Sequence, residues 1–70
     1  MNELEKLRVL IPHWIEHNEE HADDYRRWAE NVNEVNADLL AAVDALKKVN
    51  QTLSVALEKL GGAKTHPHSH

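Results

Sequence analysis

Residues 29–36, Ala-Glu-Asn-Val-Asn-Glu-Val-Asn, decide whether this chain is one long helix or a helical hairpin. Asn31, Asn33 and Asn36 are poor helix formers and good helix caps. We therefore predict that one helix ends and another begins within residues 31–36. The alternative is a single uninterrupted helix of roughly sixty residues, about 90 Å long, because no glycine or proline marks this turn.

Apolar side chains recur every three or four residues on both sides of this stretch, which places them on one face of a helix. The positions of this repeat are Leu4, Leu7, Ile11, Trp14, Asn18, His21, Tyr25, Trp28, Val32, Val35, Leu39, Ala42, Leu46, Val49, Leu53, Ala56 and Leu60. Leu40, Val43 and Leu57 widen the stripe in the second half beyond the seam of a two-stranded coiled coil. The pattern therefore predicts an all-α bundle.

Two positions of the repeat, Asn18 and His21, are polar, and a polar residue in such a seam can set register and oligomeric state. Three positions are aromatic, and large aromatic side chains dominate the cores of small proteins. We expect Trp14, Tyr25 and Trp28 in the core.

The ends of the helices carry recognisable signals. Asn2 followed by Glu5 fits a capping box, and Gly61-Gly62 is a strong stop signal. Pro12 lacks an amide hydrogen and disfavours helical backbone before it, so it predicts a break or a kink. The prediction is a short kinked leading helix followed by an antiparallel helical hairpin in a domain of residues 1–60. Its helices span about 2–11, 12–31 and 36–60.

Composition narrows the classes of function. The chain has 70 residues, no cysteine and a net charge of -4, with acidic and basic residues intermixed. This balance argues against nucleic acid and membrane surfaces as partners, and no apolar run is long enough to span a bilayer. We expect a cytoplasmic protein. A short chain without disulfides needs a metal or self-association for stability, so a homodimer forming a four-helix bundle is expected.

The residues with the clearest chemical potential are His13, His17 and His21, which stand four residues apart. Adjacent members of this row lie one helical turn apart, close enough for two imidazoles to bind one metal ion. Glu20 and Asp24 share the same helix face and add carboxylate ligands. The preferred site is His17 with His21, assisted by Glu20 or Asp24. The other interpretation is that these residues form a solvated polar face.

Residues 61–70 are expected to form a flexible tail, and its end alternates His66, His68 and His70 with other residues. A histidine-rich tract of this kind fits loose metal capture. Imidazole and carboxylate ligands without thiolate suit nickel, cobalt or zinc, with copper or iron as alternatives.

The segment Leu10-Ile-Pro-His-Trp-Ile-Glu-His-Asn-Glu-Glu-His-Ala22 resembles a family of small uncharacterised prokaryotic helical proteins. Their signature reads Pro-His-Trp-Ile-Glu-His-Asn-x-Glu-His-Ala. The resemblance implies a helical domain associated with nickel or cobalt handling, and the connection to the second helix is longer in that family. The positions that it highlights are His13, Trp14, Glu16, His17, Asn18, Glu20 and His21.

Two functional hypotheses follow from these patterns. The first is a carrier, buffer or sensor of a divalent transition metal that uses the histidine row. The second is an oligomerising helical interaction module that needs no metal, with a pH-responsive bundle as a variant because histidine titrates near neutral pH. We expect no enzymatic activity, because the sequence contains neither a cysteine nucleophile nor a glycine-rich phosphate loop.

Overall fold

The computed structural model describes residues 2–64 and contains two long helices in an antiparallel hairpin. Helix α1 spans Glu3–Asn31, and helix α2 spans Asn36–Lys59. A single turn of 3-10 helix, Asn33–Val35, connects them. The described residues contain no strand, so the all-α prediction is confirmed. No helix in this part of the chain is long and apolar enough to cross a membrane.

The turn lies where the asparagines predict it. Helix α1 ends at Asn31, and the Asn36 side chain donates a hydrogen bond of 2.7 Å to the carbonyl of Ala29. This bond satisfies a carbonyl in the last turn of α1, which has no partner within its own helix. The hairpin is therefore confirmed, and the alternative of one continuous helix is wrong.

Pro12 does not divide the first helix, and the predicted pair of helices at about 2–11 and 12–31 is one helix of 29 residues. Proline in a helix leaves the carbonyl four residues earlier without its usual donor. That carbonyl belongs to Arg8, and the backbone N–H of Lys64 donates to it at 3.1 Å. The segment after α2 thus replaces the hydrogen bond that Pro12 removes.

Two glycines turn this segment back towards α1. Gly61 and Gly62 have φ angles of 99° and 93°, which L-residues with side chains rarely adopt. Their amides donate to the carbonyls of Glu58 and Leu57, which is the Schellman pattern of a helix end. Residues 61–64, predicted as part of a flexible tail, are therefore an ordered cap. Residues 65–70 lie outside the described part of the chain.

Side chains fasten this cap to the start of α1. Arg8 Nε donates to the Gly62 carbonyl at 2.8 Å, and Lys64 Nζ lies 2.8 Å from Glu5 Oε2. The hydrogen bond from Lys64 is the main reason that the pKa of Glu5 lies below its ordinary value of 4.5, and the backbone amide of Asn2 adds to the effect. Both ends of the described chain are thereby held together.

The seam between the helices is narrow. Within residues 2–64 the buried apolar side chains are Ile11, Ala22, Ala29 and Val43. Two of the four are alanines, which let the helix backbones approach closely. No large side chain is fully buried in this part of the chain, so the hairpin has a small core.

The predicted aromatic core is wrong. Trp14 is 42% exposed and Trp28 is 62% exposed, whereas Tyr25 is half-buried. The seam follows Ile11, Ile15, Asn18, Ala22 and Ala29, so at three places it uses the residue after the one that the repeat predicts. An α-helix has 3.6 residues per turn, whereas the apolar repeat has a period of 3.5 residues. The repeat therefore does not determine which of two adjacent residues faces the other helix.

Asparagines link the two helices across the seam. Asn18 Nδ2 donates to Asn50 Oδ1 at 2.9 Å, and Asn50 Nδ2 donates to the Ile15 carbonyl at 3.2 Å. Asn18 therefore occupies the polar seam position that the sequence predicts, with Asn50 as its partner. His21, the other predicted polar seam residue, is exposed.

We predict that Asn50→Ala lowers the free energy of unfolding by about 1–2 kcal/mol, because a half-buried Asn18 amide then lacks its partner. Urea titration followed by circular dichroism at fixed protein concentration measures this change. The neighbouring exposed residue supplies the control, and Gln51→Ala is expected to change stability by less than about 0.5 kcal/mol. Equal effects of the two substitutions would contradict the role of this bond.

We also predict that acid releases the cap. A carboxyl whose pKa is lowered by folding stabilises the folded form above its ordinary pKa, and the contribution disappears as the pH falls through the lowered value. Exchange protection of the Lys64 amide, corrected for the intrinsic rate, should be constant near neutral pH and decrease below about 4.5. Glu5→Gln keeps the helix cap and should remove this pH dependence. Glu3→Gln, at a nearby exposed position, should preserve it.

Candidate functional site

The histidine row lies along the exposed surface of the first half of α1. His13, His17 and His21 are all exposed, and successive members are one turn apart on the same helix. The ring of His21 stacks on Tyr25, with centroids 6.3 Å apart and planes at 25°. His21 is therefore placed beside an aromatic ring at the surface instead of in the margin of the core.

The predicted carboxylates have different surroundings. Glu20 Oε1 lies 3.6 Å from His17 Nδ1, with both side chains about two-thirds exposed. Asp24 forms an ion pair and hydrogen bond with Arg27. A carboxylate that accepts from arginine is a weaker metal ligand, so Glu20 is the better candidate of the two.

These residues do not converge on a complete site. Within residues 2–64, no group of three or more histidine, cysteine or acidic side chains is arranged to hold a metal ion. His17 with Glu20, and His17 with His21, supply at most incomplete ligand sets. The proposed tail ligands His66, His68 and His70 lie outside the described residues.

A groove lined in part by charged side chains runs along one side of the hairpin. It is lined from α1 by Glu19, Asp23 and Arg26, among others, and from α2 by Lys47, Gln51 and Glu58. Successive residues of a helix are rotated by 100° about its axis, so these α1 residues lie about 60–120° from the buried Ile11 in one direction of rotation. The α2 residues lie about 40–80° from Val43, the buried residue of α2, in the same direction of rotation. Residues of α1 that are rotated the other way from Ile11, and residues of α2 that are rotated the other way from Val43, therefore lie together on the opposite side of the hairpin.

That opposite side is apolar and has no partner within the hairpin. Trp14, His21 and Trp28 lie about 60–100° from Ile11 in this direction, each seven residues from the next. We call the surface the apolar side; its members are Leu10, Trp14, His21, Tyr25 and Trp28 of α1, Ala42, Val49, Leu53 and Ala56 of α2, and Leu60, which directly follows α2. Leu10 is 42% exposed and Val49 is 45% exposed. No lysine, arginine, aspartate or glutamate lies at its centre, whereas Glu3 lies in line with it at the start of α1, and Asp24 and Asp38 lie at its outer edge at the same rotation as Ala56.

The apolar side is the feature that the sequence analysis missed. The repeat placed Trp14 and Trp28 inside the molecule, because periodicity alone does not separate a face that packs within the chain from one left uncovered. A signal was nevertheless present. Ala22 and Ala29 directly follow His21 and Trp28, and their small size suits a close helix contact better than the larger residues do.

Comparison with known proteins places this hairpin in a family but gives no assigned activity. No match is found among curated proteins or among solved structures. The family described as "Domain of unknown function (DUF8180)" matches residues 7–60. The matched range includes the histidine row, both exposed tryptophans, the turn and all of α2. The chain therefore belongs to this family of domains of unknown function.

Proposed function

We propose that this chain is a helical interaction module that binds another protein chain through the apolar side. The observation that carries the proposal is the exposure of two tryptophans, 42% for Trp14 and 62% for Trp28, on a surface with no lysine, arginine, aspartate or glutamate at its centre. A tryptophan side chain can bury up to about 250 Å², so these fractions leave roughly 250 Å² of indole surface uncovered. Contiguous exposed apolar surface of this kind is typical of protein interaction sites.

The small internal core supports the same function. Four buried residues, two of them alanines, give the hairpin few of the contacts that stabilise a domain. Leu39, Leu46 and Leu53 of α2 are only half-buried by α1. Covering the apolar side would add burial at about 25 cal/mol per Å² of apolar surface, and this gain favours the bound form.

Photo-crosslinking in cells that express the protein tests this proposal. We predict that a benzophenone amino acid at position 28 forms an adduct of discrete mass, because a bound chain covers Trp28. The same amino acid at position 30 should form none, since exposed Glu30 lies on the groove side of α1. Absence of adducts from position 28 would contradict the proposal, and the adduct mass shows whether the bound chain is a second copy.

A second candidate function is binding of a divalent transition metal, with nickel, cobalt and zinc as the expected ions. The favouring observation is the 3.6 Å distance between His17 Nδ1 and Glu20 Oε1, with exposed His21 one turn away. Imidazole and carboxylate are suitable ligands for these ions. Water or another chain would have to complete the coordination, because the described residues hold no group of three ligands.

Calorimetric titration with Ni(II) and Zn(II) tests this candidate on a chain that ends at Lys64, which keeps the cap and removes the histidine-rich end. We predict that His17→Ala/His21→Ala abolishes binding and that Glu20→Gln weakens it about tenfold, as loss of a supporting carboxylate does. His13→Ala is the matched control and should retain binding. Equal binding by all four proteins would exclude the proposed ligands.

A further inference from the structure

We propose that the partner of the apolar side is a second copy of this chain, related by a two-fold axis parallel to the helices. This inference rests on the proposed interaction function and specifies its partner. The resulting assembly is a four-helix bundle in which α1 of each copy lies over α2 of the other. Three observations carry the proposal: the size of the apolar side, the absence of lysine, arginine, aspartate and glutamate at its centre, and the distribution of large and small residues on it.

The apolar side is large enough for a stable dimer. Helix α2 has 24 residues, so the two helices run side by side for about 36 Å. Two helices placed side by side are about 20 Å wide, which gives a projected area on the order of 700 Å². Protruding side chains raise the accessible area above the projected one. Stable interfaces bury about 800 Å² per partner, so a second hairpin of the same size would cover the surface.

The charge distribution favours a copy of the same chain. An interface around a two-fold axis brings each patch onto itself, so any net charge on the patch would repel its own copy. The centre of the apolar side contains no lysine, arginine, aspartate or glutamate, and Glu3, Asp24 and Asp38 lie only at its margins, whereas the groove side carries Glu19, Asp23, Arg26 and Lys47. Self-association through the apolar side therefore brings no like charges of lysine, arginine, aspartate or glutamate together at the centre of the interface.

Side-chain size sets the orientation of the second copy. The large residues Trp14, His21 and Trp28 form a row on α1 with a spacing of seven. A row on α2 with the same spacing has smaller residues, which are Ala42, Val49 and Ala56, and Leu53 and Leu60 lie beside this row. The hydrogen bond between Asn18 and Asn50 brings the middle of the two helices to one level. Trp28 with Ala42, His21 with Val49 and Trp14 with Ala56 are therefore within about one turn of each other along the hairpin.

Rotation about a two-fold axis parallel to the helices leaves each residue at the same height along the bundle. It places α1 of one copy over α2 of the other. The row of large residues then faces α2, where small residues lie beside Leu53 and Leu60, so large and small side chains interdigitate on both sides of the bundle. A two-fold axis perpendicular to the helices would instead stack α1 on α1. Trp14 and Trp28 would then meet only the large residues that α1 places on the apolar side.

Sedimentation equilibrium of the full chain tests the dimer, and we expect twice the mass of the 8.0 kDa chain. Ala42→Trp should weaken the dimer about a hundredfold or more, because it overpacks two symmetry-related contacts. Ala37→Trp makes the same change at an exposed position on the groove side of α2 and should leave the dimer unchanged. Circular dichroism of both variants checks that the helices remain.

The orientation is tested with a nitroxide label on Asn33→Cys, since the chain has no other cysteine and Asn33 is exposed in the turn. The proposed axis places both turns at one end of the bundle, with the labels within about 20 Å. A perpendicular axis would separate the labels by about 40 Å. A long distance, or a dimer insensitive to Ala42→Trp, overturns the proposal.

Failure of the dimer is distinguishable from failure of the interaction function. A chain that stays monomeric at all concentrations but yields an adduct with another protein from position 28 overturns the second copy and keeps the interaction function. A monomer without any such adduct overturns both. A dimer with short label distances and the expected response to the two alanine substitutions supports both.

Discussion

The close approach of α1 and α2 through small side chains determines most of this structure. Ala22 and Ala29 of α1 and Val43 of α2 are buried, and short side chains at such positions let two helices approach too closely for indole or imidazole rings. The residues before these alanines, His21 and Trp28, are therefore turned to one edge of the hairpin. The same contact that forms the hairpin produces the exposed aromatic surface on which the proposed function depends.

The ends of the described chain are tied together by a second constraint, which begins with Pro12. The proline removes one helical hydrogen bond, and the backbone N–H of Lys64 donates to the Arg8 carbonyl that lacks its helical donor. Gly61 and Gly62 allow the chain to turn back to that carbonyl, and Lys64 pairs with Glu5 on arrival. Pro12, a residue type that usually breaks a helix, thus leaves the carbonyl to which the end of the hairpin binds.

The two proposed functions use neighbouring surfaces of α1. His21 belongs to the apolar side, while His17 with Glu20 lies just beyond its edge and stays exposed. A second chain that covers the apolar side would place its own residues close to this histidine pair. Interaction and metal binding are therefore compatible activities of one helix, and the experiments on Trp28 and on the histidine row separate them.

The sequence by itself determined the helical class, the turn at residues 31–36, the polar seam residue Asn18 and the glycine stop after α2. These features depend on local chemistry: caps, helix propensity and backbone freedom act within a few residues. Tertiary structure decided the rest. Helix α1 continues through Pro12 because Lys64, far away in the sequence, supplies the missing donor. Trp14 and Trp28 are exposed because α2 packs on the alanine-bearing face, and that choice between adjacent helix positions depends on how closely two helices can approach.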